Sequence, residues 1–189
     1  MTIDYERGLA TLRDATYDAI VATLIAELPA VWRDRYEQMC RGPVDILLVD
    51  AGGFTYLFDY ASGLTPPAAR EDRVVAAFGR SQATDAERPA SRLAGFPGSD
   101  ARGDRGHFMA HASGGGVDIN LFHQSAAFNR GWSAQGREYR TMERYCAQHP
   151  GTFCFARPIY TDDTARPAEL EFGVLKADRT LWVRMFENG

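Results

Sequence analysis

Apolar positions recur every three or four residues along the first forty residues, and short alternating runs replace them further on. The apolar positions of this first part are Leu9, Leu12, Ala15, Ala19, Ala22 and Ile25. Because the spacing matches the 3.6-residue period of an α-helix, it predicts a helix. Pro29 predicts a break, since proline removes a helix-interior hydrogen bond, and a second helical stretch is expected over 31–40.

Strand patterns follow the helical region. Apolar residues dominate 44–49 and 54–60, and the turn residues of 50–53 between them predict a β-hairpin. Residues 71–78 fit either a short helix or a strand. Near the C-terminus, alternation predicts strands over 152–159, 169–175 and 180–186.

The middle of the chain joins an irregular stretch to a more regular one. Residues 79–103 are rich in Gly, Pro, Ser, Asp and Arg, which predicts a loop at the rim of a substrate cleft. Beyond this loop, we expect a strand ending near 107–110, a strand over 117–122 and a helix over about 132–148.

The predicted elements indicate an α+β fold with an antiparallel sheet and a helical N-terminal segment. A chain of 189 residues is about one domain's worth, although a small module can be appended to it. We therefore divide it into a helical and hairpin segment of 1–78, of unknown role, and a second domain of 79–189.

The composition indicates where in the cell the protein is located and whether its cysteines form disulfides. No apolar run reaches the roughly 18 residues of a membrane span, and the N-terminus is acidic rather than basic and greasy. We expect a cytoplasmic protein, or one exported without a cleavable signal peptide, with no membrane partner. Cys40, Cys146 and Cys154 form no CxxC pair, which favours buried thiols; a Cys146–Cys154 disulfide is the alternative in an oxidising compartment.

Charge is unevenly distributed along a chain whose net charge is −4. Residues 80–144 contain nine arginines against seven acidic residues, and Lys176 is the only lysine of the whole chain. Arginine binds phosphate oxygens bidentately, so this middle segment is suited to nucleic acid. A codon usage rich in G and C explains the arginines equally well.

The most informative short motif is Asp104-Arg105-Gly106-His107. An imidazole with a pKa near neutrality can accept a proton from water, and a neighbouring guanidinium can stabilise charge that develops on a phosphate. A single histidine is equally compatible with a structural role, so the downstream residues decide between the two.

Three ordered elements follow that motif. They are Asn120-Leu121-Phe122-His123-Gln124, then Asn129-Arg130-Gly131-Trp132, then Tyr139-Arg140-Thr141-Met142-Glu143-Arg144. With the DRGH element, this order resembles the DNA/RNA non-specific endonucleases of the ββα-metal superfamily. The resemblance is close over 104–143 and continues loosely to Phe186-Glu187-Asn188.

The resemblance implies a division of roles. His107 would be the general base, Asn129 the direct protein ligand of Mg²⁺, with Mn²⁺ as a substitute, and Glu143 the carboxylate that orients metal-bound water. Arg105 and Asp104 complete the catalytic group, the first as a phosphate contact and the second as a partner of its neighbours.

The other expected site residues would contact or border the substrate. Arg105 and Arg130 would contact phosphate, and Asn120 with Gln124 resembles a polar pair that braces a loop and borders the substrate.

Several alternatives stay open at this stage. Asn129 could serve as the N-cap of the following helix. Trp132 fits a core or helix-anchoring residue better than a platform on which a base stacks. Glu138 rivals Glu143, because the interval from 129 to 143 is longer than the family's usual spacing.

Other chemistry is less well supported. His107 and His111 lie four apart, so on one strand they would share a face and could hold zinc. No Gly-x-Ser-x-Gly elbow is present, which argues against a serine hydrolase.

Two functions of different classes follow. The first is a metal-dependent, sugar-non-specific endonuclease acting on DNA or RNA and leaving 5′-phosphate ends, as the resemblance implies. In that case an antibacterial toxin or effector fits, with an immunity protein or a secretion-system component as partner, and a cytoplasmic defence or salvage nuclease fits nearly as well. The alternative is a non-catalytic nucleic-acid or protein-binding module that retains the nuclease fold.

Overall fold

A computed structural model describes residues 3–5, 9–12, 14–84 and 103–189 of the chain. Its strands, in chain order, are β1 (Ile46–Ala51), β2 (Phe54–Asp59), β3 (Arg73–Arg80), β4 (Gly103–His107), β5 (Leu121–Ser125), β6 (Phe153–Ile159), β7 (Glu169–Leu175) and β8 (Leu181–Glu187). Its helices are α1 (Tyr17–Met39), the single turn α2 (Ala126–Asn129) and α3 (Ala134–Gln148).

Six strands form one antiparallel sheet in the order β1-β2-β3-β6-β7-β8, and β4 pairs with β5 in a second, two-stranded sheet. The expected α+β class is confirmed. The division expected between residues 78 and 79 falls inside β3, and strands from both sides of it hydrogen-bond within the large sheet.

The large sheet is the middle of three layers. Successive strand residues point to opposite faces, so Phe153 and Phe155 of β6 pack with α1, whereas Cys154 and Ala156 pack with the β4–β5 pair, α2 and α3. The catalytic residues expected from the sequence therefore all lie on the face away from α1.

Helix α1 is continuous through Pro29, so the predicted break is wrong. The apolar stripe of α1 continues on both sides of the proline, with Leu28 and Trp32 both buried against the sheet. Burying such side chains stabilises by about 1.5–3 kcal/mol each, which offsets a proline cost of about 3 kcal/mol. The helix also begins later than the pattern suggests, at Tyr17, where the Thr16 hydroxyl accepts a hydrogen bond from the backbone N–H of Ala19.

The hairpin and the C-terminal strands are confirmed with shifts of one or two residues, and the ambiguous stretch 71–78 is strand β3. The strand expected over 117–122 is wrong in part, because residues 118–120 form a 3-10 turn and the strand begins at Leu121. Most of the loop expected over 79–103 lies outside the described residues.

All three cysteines are free thiols, and Cys146 and Cys154 are buried as expected. Within the described residues, no helix combines the length and the apolar character needed to cross a bilayer.

A buried polar network fixes α1 to the sheet at its C-terminal end. Arg70 and Asp59 form an ion pair of 2.5 Å whose side chains are almost completely buried, and the Tyr36 hydroxyl of α1 donates to Asp59 over 2.7 Å. Burial raises the pKa of the Asp59 carboxyl, but the hydrogen bonds from Arg70 and Tyr36 outweigh it and hold that pKa below its usual range.

Candidate active site

The side chain of Asp104 on β4 binds the last residue of α2, Asn129, and the residue after it, Arg130. Its Oδ2 accepts hydrogen bonds from Nδ2 of Asn129 at 3.0 Å and from Nε of Arg130 at 2.7 Å, and its Oδ1 accepts from a terminal nitrogen of Arg130 at 2.6 Å. The fork-to-fork geometry of the arginine and the carboxylate is directional as well as strong. One carboxylate therefore sets the positions of both neighbouring side chains.

The ionisation of Asp104 also sets the orientation of the Asn129 amide. The hydrogen bonds from Arg130, and secondarily from Asn129, hold the pKa of the Asp104 carboxyl below its usual range. An ionised carboxylate only accepts hydrogen bonds, so Asn129 must turn its NH₂ group toward Asp104. The amide oxygen of Asn129 consequently faces away from Asp104 and is the end left for a cation.

Asn129 does not cap a helix, so the N-cap alternative is wrong. It is the last residue of α2, whose own cap is Ser125, and the hydroxyl of Ser133 caps α3 by accepting from the N–H of Gly136 at 3.0 Å. Between them, Gly131 takes a φ of 70°, a left-handed conformation that suits glycine.

His107 is the last residue of β4, and its backbone is tied to α3. The hydroxyl of Tyr139 donates to the carbonyl oxygen of His107 over 3.1 Å. Burial, and next the nearby charge of Glu143, raise the pKa of the Tyr139 hydroxyl well above its ordinary value. Glu143 therefore lies beside the same hydroxyl that contacts His107, so Tyr139 joins these two expected catalytic residues.

Glu138 points elsewhere. Its Oε1 accepts a 2.7 Å hydrogen bond from Nε of Arg184 on β8, in an ion pair that is open to solvent. The two rival carboxylates are thus separated by their partners, and the one near His107 is Glu143.

The glycine of the DRGH motif is required by packing. A Cβ at Gly106 would lie 2.4 Å from Oε1 of Gln124, which is 1% exposed on the neighbouring strand. Asn120 is fully buried, accepts from the N–H of Met109 and donates to the carbonyls of Met109 and Gly116, each over 2.8 Å. The Asn120 amide thus braces the loop around Met109 and Gly116, and both Asn120 and Gln124 are buried away from a substrate.

Arg105 and His107 project from the same face of β4, because residues two apart on a strand share a face. Asp104 lies on the opposite face, toward α2. Arg105 is half-buried at this position.

The premise of the two-histidine zinc site is wrong. Strand β4 ends at His107, and His111 opens a separate 3-10 turn, so the two do not share a strand face. Among the residues that the structure describes, no group of three or more His, Cys, Asp or Glu side chains is placed to hold a metal. A site at Asn129 and Glu143 would instead take its other ligands from water and substrate, which suits Mg²⁺.

Two residues that the structure places at the site had no site role predicted from the sequence. Asn188 is fully buried near the C-terminus, where it donates to the carbonyls of His123 and Pro167 and accepts from the N–H of Ser125. It fixes the start of α2, whereas the sequence marked it only as part of the loose tail of the resemblance. Trp132 is 64% exposed, so the interpretation of it as a core residue is wrong.

No protein-family description matches the chain, and no curated protein is significantly similar to it. Two of the solved structures that align with the chain are nucleases by name. One, an extracellular nuclease, is 15% identical with a TM-score of 0.40 and covers 80% of this chain and 89% of its own. The other, an extracellular endonuclease, is 14% identical with a TM-score of 0.35 and covers 78% and 80%. Similarity at this level leaves the chemistry to be argued from the site itself.

Proposed function

We propose that this chain is a metal-dependent endonuclease that hydrolyses the phosphodiester bonds of DNA and RNA without selecting the sugar. The observation that carries the proposal is the Asp104 bridge. It orients the amide oxygen of Asn129 and the guanidinium of Arg130 from the strand that also carries His107.

The donor set of the site fits a hard divalent cation. Asn129 would supply an amide oxygen to Mg²⁺, or to Mn²⁺ in its place, and the carboxylate of Glu143 would hold water of the ion's hydration shell. When bound, the ion would stabilise the negative charge that develops on the phosphate and its leaving oxygen.

The protein's own groups would perform the proton transfer and bind the substrate. His107, in its neutral form, accepts a proton from the attacking water as the water oxygen bonds to phosphorus. The bond from phosphorus to the 3′ oxygen breaks and that oxygen takes up a proton from water, which leaves a 3′-hydroxyl and a 5′-phosphate. Arg105, on the same strand face as His107, would neutralise a non-bridging phosphate oxygen, and Arg130 would add a second positive charge.

The test is degradation of plasmid DNA and of RNA by the purified chain in Mg²⁺, with EDTA as the metal-free control. His107→Ala should lower the rate about 10²- to 10⁴-fold, the usual cost of losing a general base. The matched control is His149→Ala, an exposed histidine at the far end of α3, which should leave the rate unchanged. Near-wild-type digestion by a folded His107→Ala variant would disprove the assignment.

The biological role proposed with this activity is an antibacterial toxin or effector. A nuclease that ignores the sugar also degrades the nucleic acids of the cell that makes it. Such a cell needs an inhibitor, so an immunity protein, and a secretion-system component for delivery, are the proposed partners. Growth of bacteria expressing the wild type should be arrested, and growth with His107→Ala should not.

A further inference from the structure

Trp132 is an exposed aromatic side chain beside the Asp104 bridge. The guanidinium of Arg130 lies 4.9 Å from the centroid of its ring, in the range of a cation–π contact. The same guanidinium is held by Asp104. Trp132 is 64% exposed, so the part of the indole that Arg130 does not cover faces solvent. The indole is linked to Asn129 through Arg130 and Asp104.

The backbone that presents this indole is fixed rather than free. The N–H of Trp132 donates to the carbonyl of Ala127 in α2 over 2.9 Å, and the Ser133 cap begins α3 immediately afterwards. We call residues 130–133, with Arg137 and Arg140 of α3, the Trp132 corner. An exposed tryptophan on a fixed turn loses little freedom when it binds a planar ligand.

Within the part of the chain that the structure describes, two further arginines of the corner contact no carboxylate. Arg137 donates to the carbonyl of Trp132 over 3.2 Å, and Arg140 donates to the carbonyl of Arg130 over 3.0 Å. Both side chains are exposed. These contacts hold the two guanidinium groups against the backbone of the turn that carries Trp132, and their positive charge faces solvent, where an external anion can bind.

We infer that the Trp132 corner binds single-stranded nucleic acid, with an unpaired base stacked on the indole and the adjoining phosphates on Arg137 and Arg140. The combination of one aromatic face with flanking cations is the usual chemistry of a sequence-tolerant single-strand site. A base within a duplex has both faces covered, so stacking on Trp132 requires an unpaired or extruded base. The inference rests on the proposed function, because it names the substrate form that the same site prefers.

The position of the corner ties this contact to the reaction. Asp104 binds both Asn129 and Arg130, and Arg130 in turn lies against Trp132. A base held on the indole would therefore belong to a nucleotide near the scissile phosphate. Trp132 is assigned as a substrate-positioning residue that favours unpaired segments.

The experiment measures binding of a fluorescein-labelled oligothymidylate of about twelve nucleotides to the full chain in EDTA, where no cleavage occurs. Trp132→Ala should weaken binding roughly 5- to 100-fold, and Trp132→Phe should retain most of the affinity. On a strand of the same length built from abasic sites, wild type and Trp132→Ala should bind equally. Tyr60→Ala, which removes an exposed aromatic residue next to β2, is the matched control and should bind like wild type.

Three results would overturn the inference: wild type that does not bind the oligonucleotide, Trp132→Ala that binds it like wild type, or an equal loss on the abasic strand. The last would show that the variant disturbs the protein and not a stacked base. Because binding is measured without metal, the outcome is independent of hydrolysis. Binding that depends on Trp132, without cleavage of any substrate, would disprove only the proposed function. Cleavage by the wild type, with Trp132→Ala binding the oligonucleotide like wild type, would disprove only this inference.

Discussion

The Asp104 carboxylate and the Asn129 amide are joined by a hydrogen bond of 3.0 Å, and this contact determines which end of the amide is available. Because Asp104 is ionised and can only accept, the nitrogen of Asn129 faces inward and its oxygen faces outward. The aspartate of the DRGH motif thus contacts Asn129 and Arg130, the neighbouring side chains of the candidate site.

Asp104→Asn should reduce nuclease activity about 10- to 100-fold, the usual cost of losing a partner that orients a ligand. An amide at position 104 can donate as well as accept, so it no longer dictates the orientation of Asn129, and Arg130 loses its ion pair. The measurement is the rate as a function of Mg²⁺ concentration. Asp162→Asn is the control, since its carboxyl also has a lowered pKa but lies in the loop after β6 and binds Thr164.

Asn129→Ala should raise the Mg²⁺ concentration for half-maximal rate and lower the maximum, because it removes the amide oxygen assigned to the metal. Asn129→Asp adds a charge that should tighten metal binding, but it also sets two carboxylates against each other at the Asp104 contact. A metal titration of the rate separates the two effects. Unchanged titrations for both variants would place the ligand elsewhere.

Glu143→Gln should lower the rate sharply, whereas Glu138→Gln should be nearly silent. Glutamine matches glutamate in shape and in helix propensity, so the variants test charge alone. Glu143 lies beside the Tyr139 hydroxyl that contacts His107, and Glu138 forms an exposed ion pair with Arg184 worth at most about 1 kcal/mol. Rates at saturating Mg²⁺ and thermal melts would be measured together. The opposite ranking of the two variants would reverse the assignment.

Asp59→Ala should destabilise the fold by about 3–5 kcal/mol at neutral pH, because it leaves the buried Arg70 guanidinium without its carboxylate. The pKa of Asp59 is lower in the folded than in the unfolded chain, so the pair's contribution is fully present above an unfolded pKa of about 3.9. It is lost as the pH falls through the folded pKa. The difference in free energy of unfolding between wild type and variant should therefore become smaller below about pH 4.

Urea denaturation at neutral and acidic pH measures that difference. Glu37→Gln is the control, because its pair with Arg33 is open to solvent and should contribute less than about 1 kcal/mol. If the difference in free energy of unfolding stays constant down to the lowest pH measured, Asp59 does not stabilise the fold through its charge.

Sequence alone determined the elements whose periodicity is local. The hairpin of β1 and β2 and the three C-terminal strands follow from alternation and turn residues. The bulk of α3 follows from helical spacing, and both kinds of pattern depend on near neighbours in the chain. The DRGH motif and the residues after it also identify the candidate site residues, through the family resemblance that they carry. The break predicted at Pro29 is wrong, because packing of α1 against the sheet outweighs the local cost of proline.

Only the tertiary structure decided how those residues are joined. The Asp104–Asn129 hydrogen bond spans 25 residues and the Tyr139–His107 bond spans 32, and no local pattern encodes a contact between side chains that far apart. The same reason applies to Glu143 against Glu138, which lie on one helix and differ in what the folded chain places beside them. Trp132 is a further example. Its apolar character suggested a core position, but the turn between α2 and α3 holds it at the surface beside Arg130.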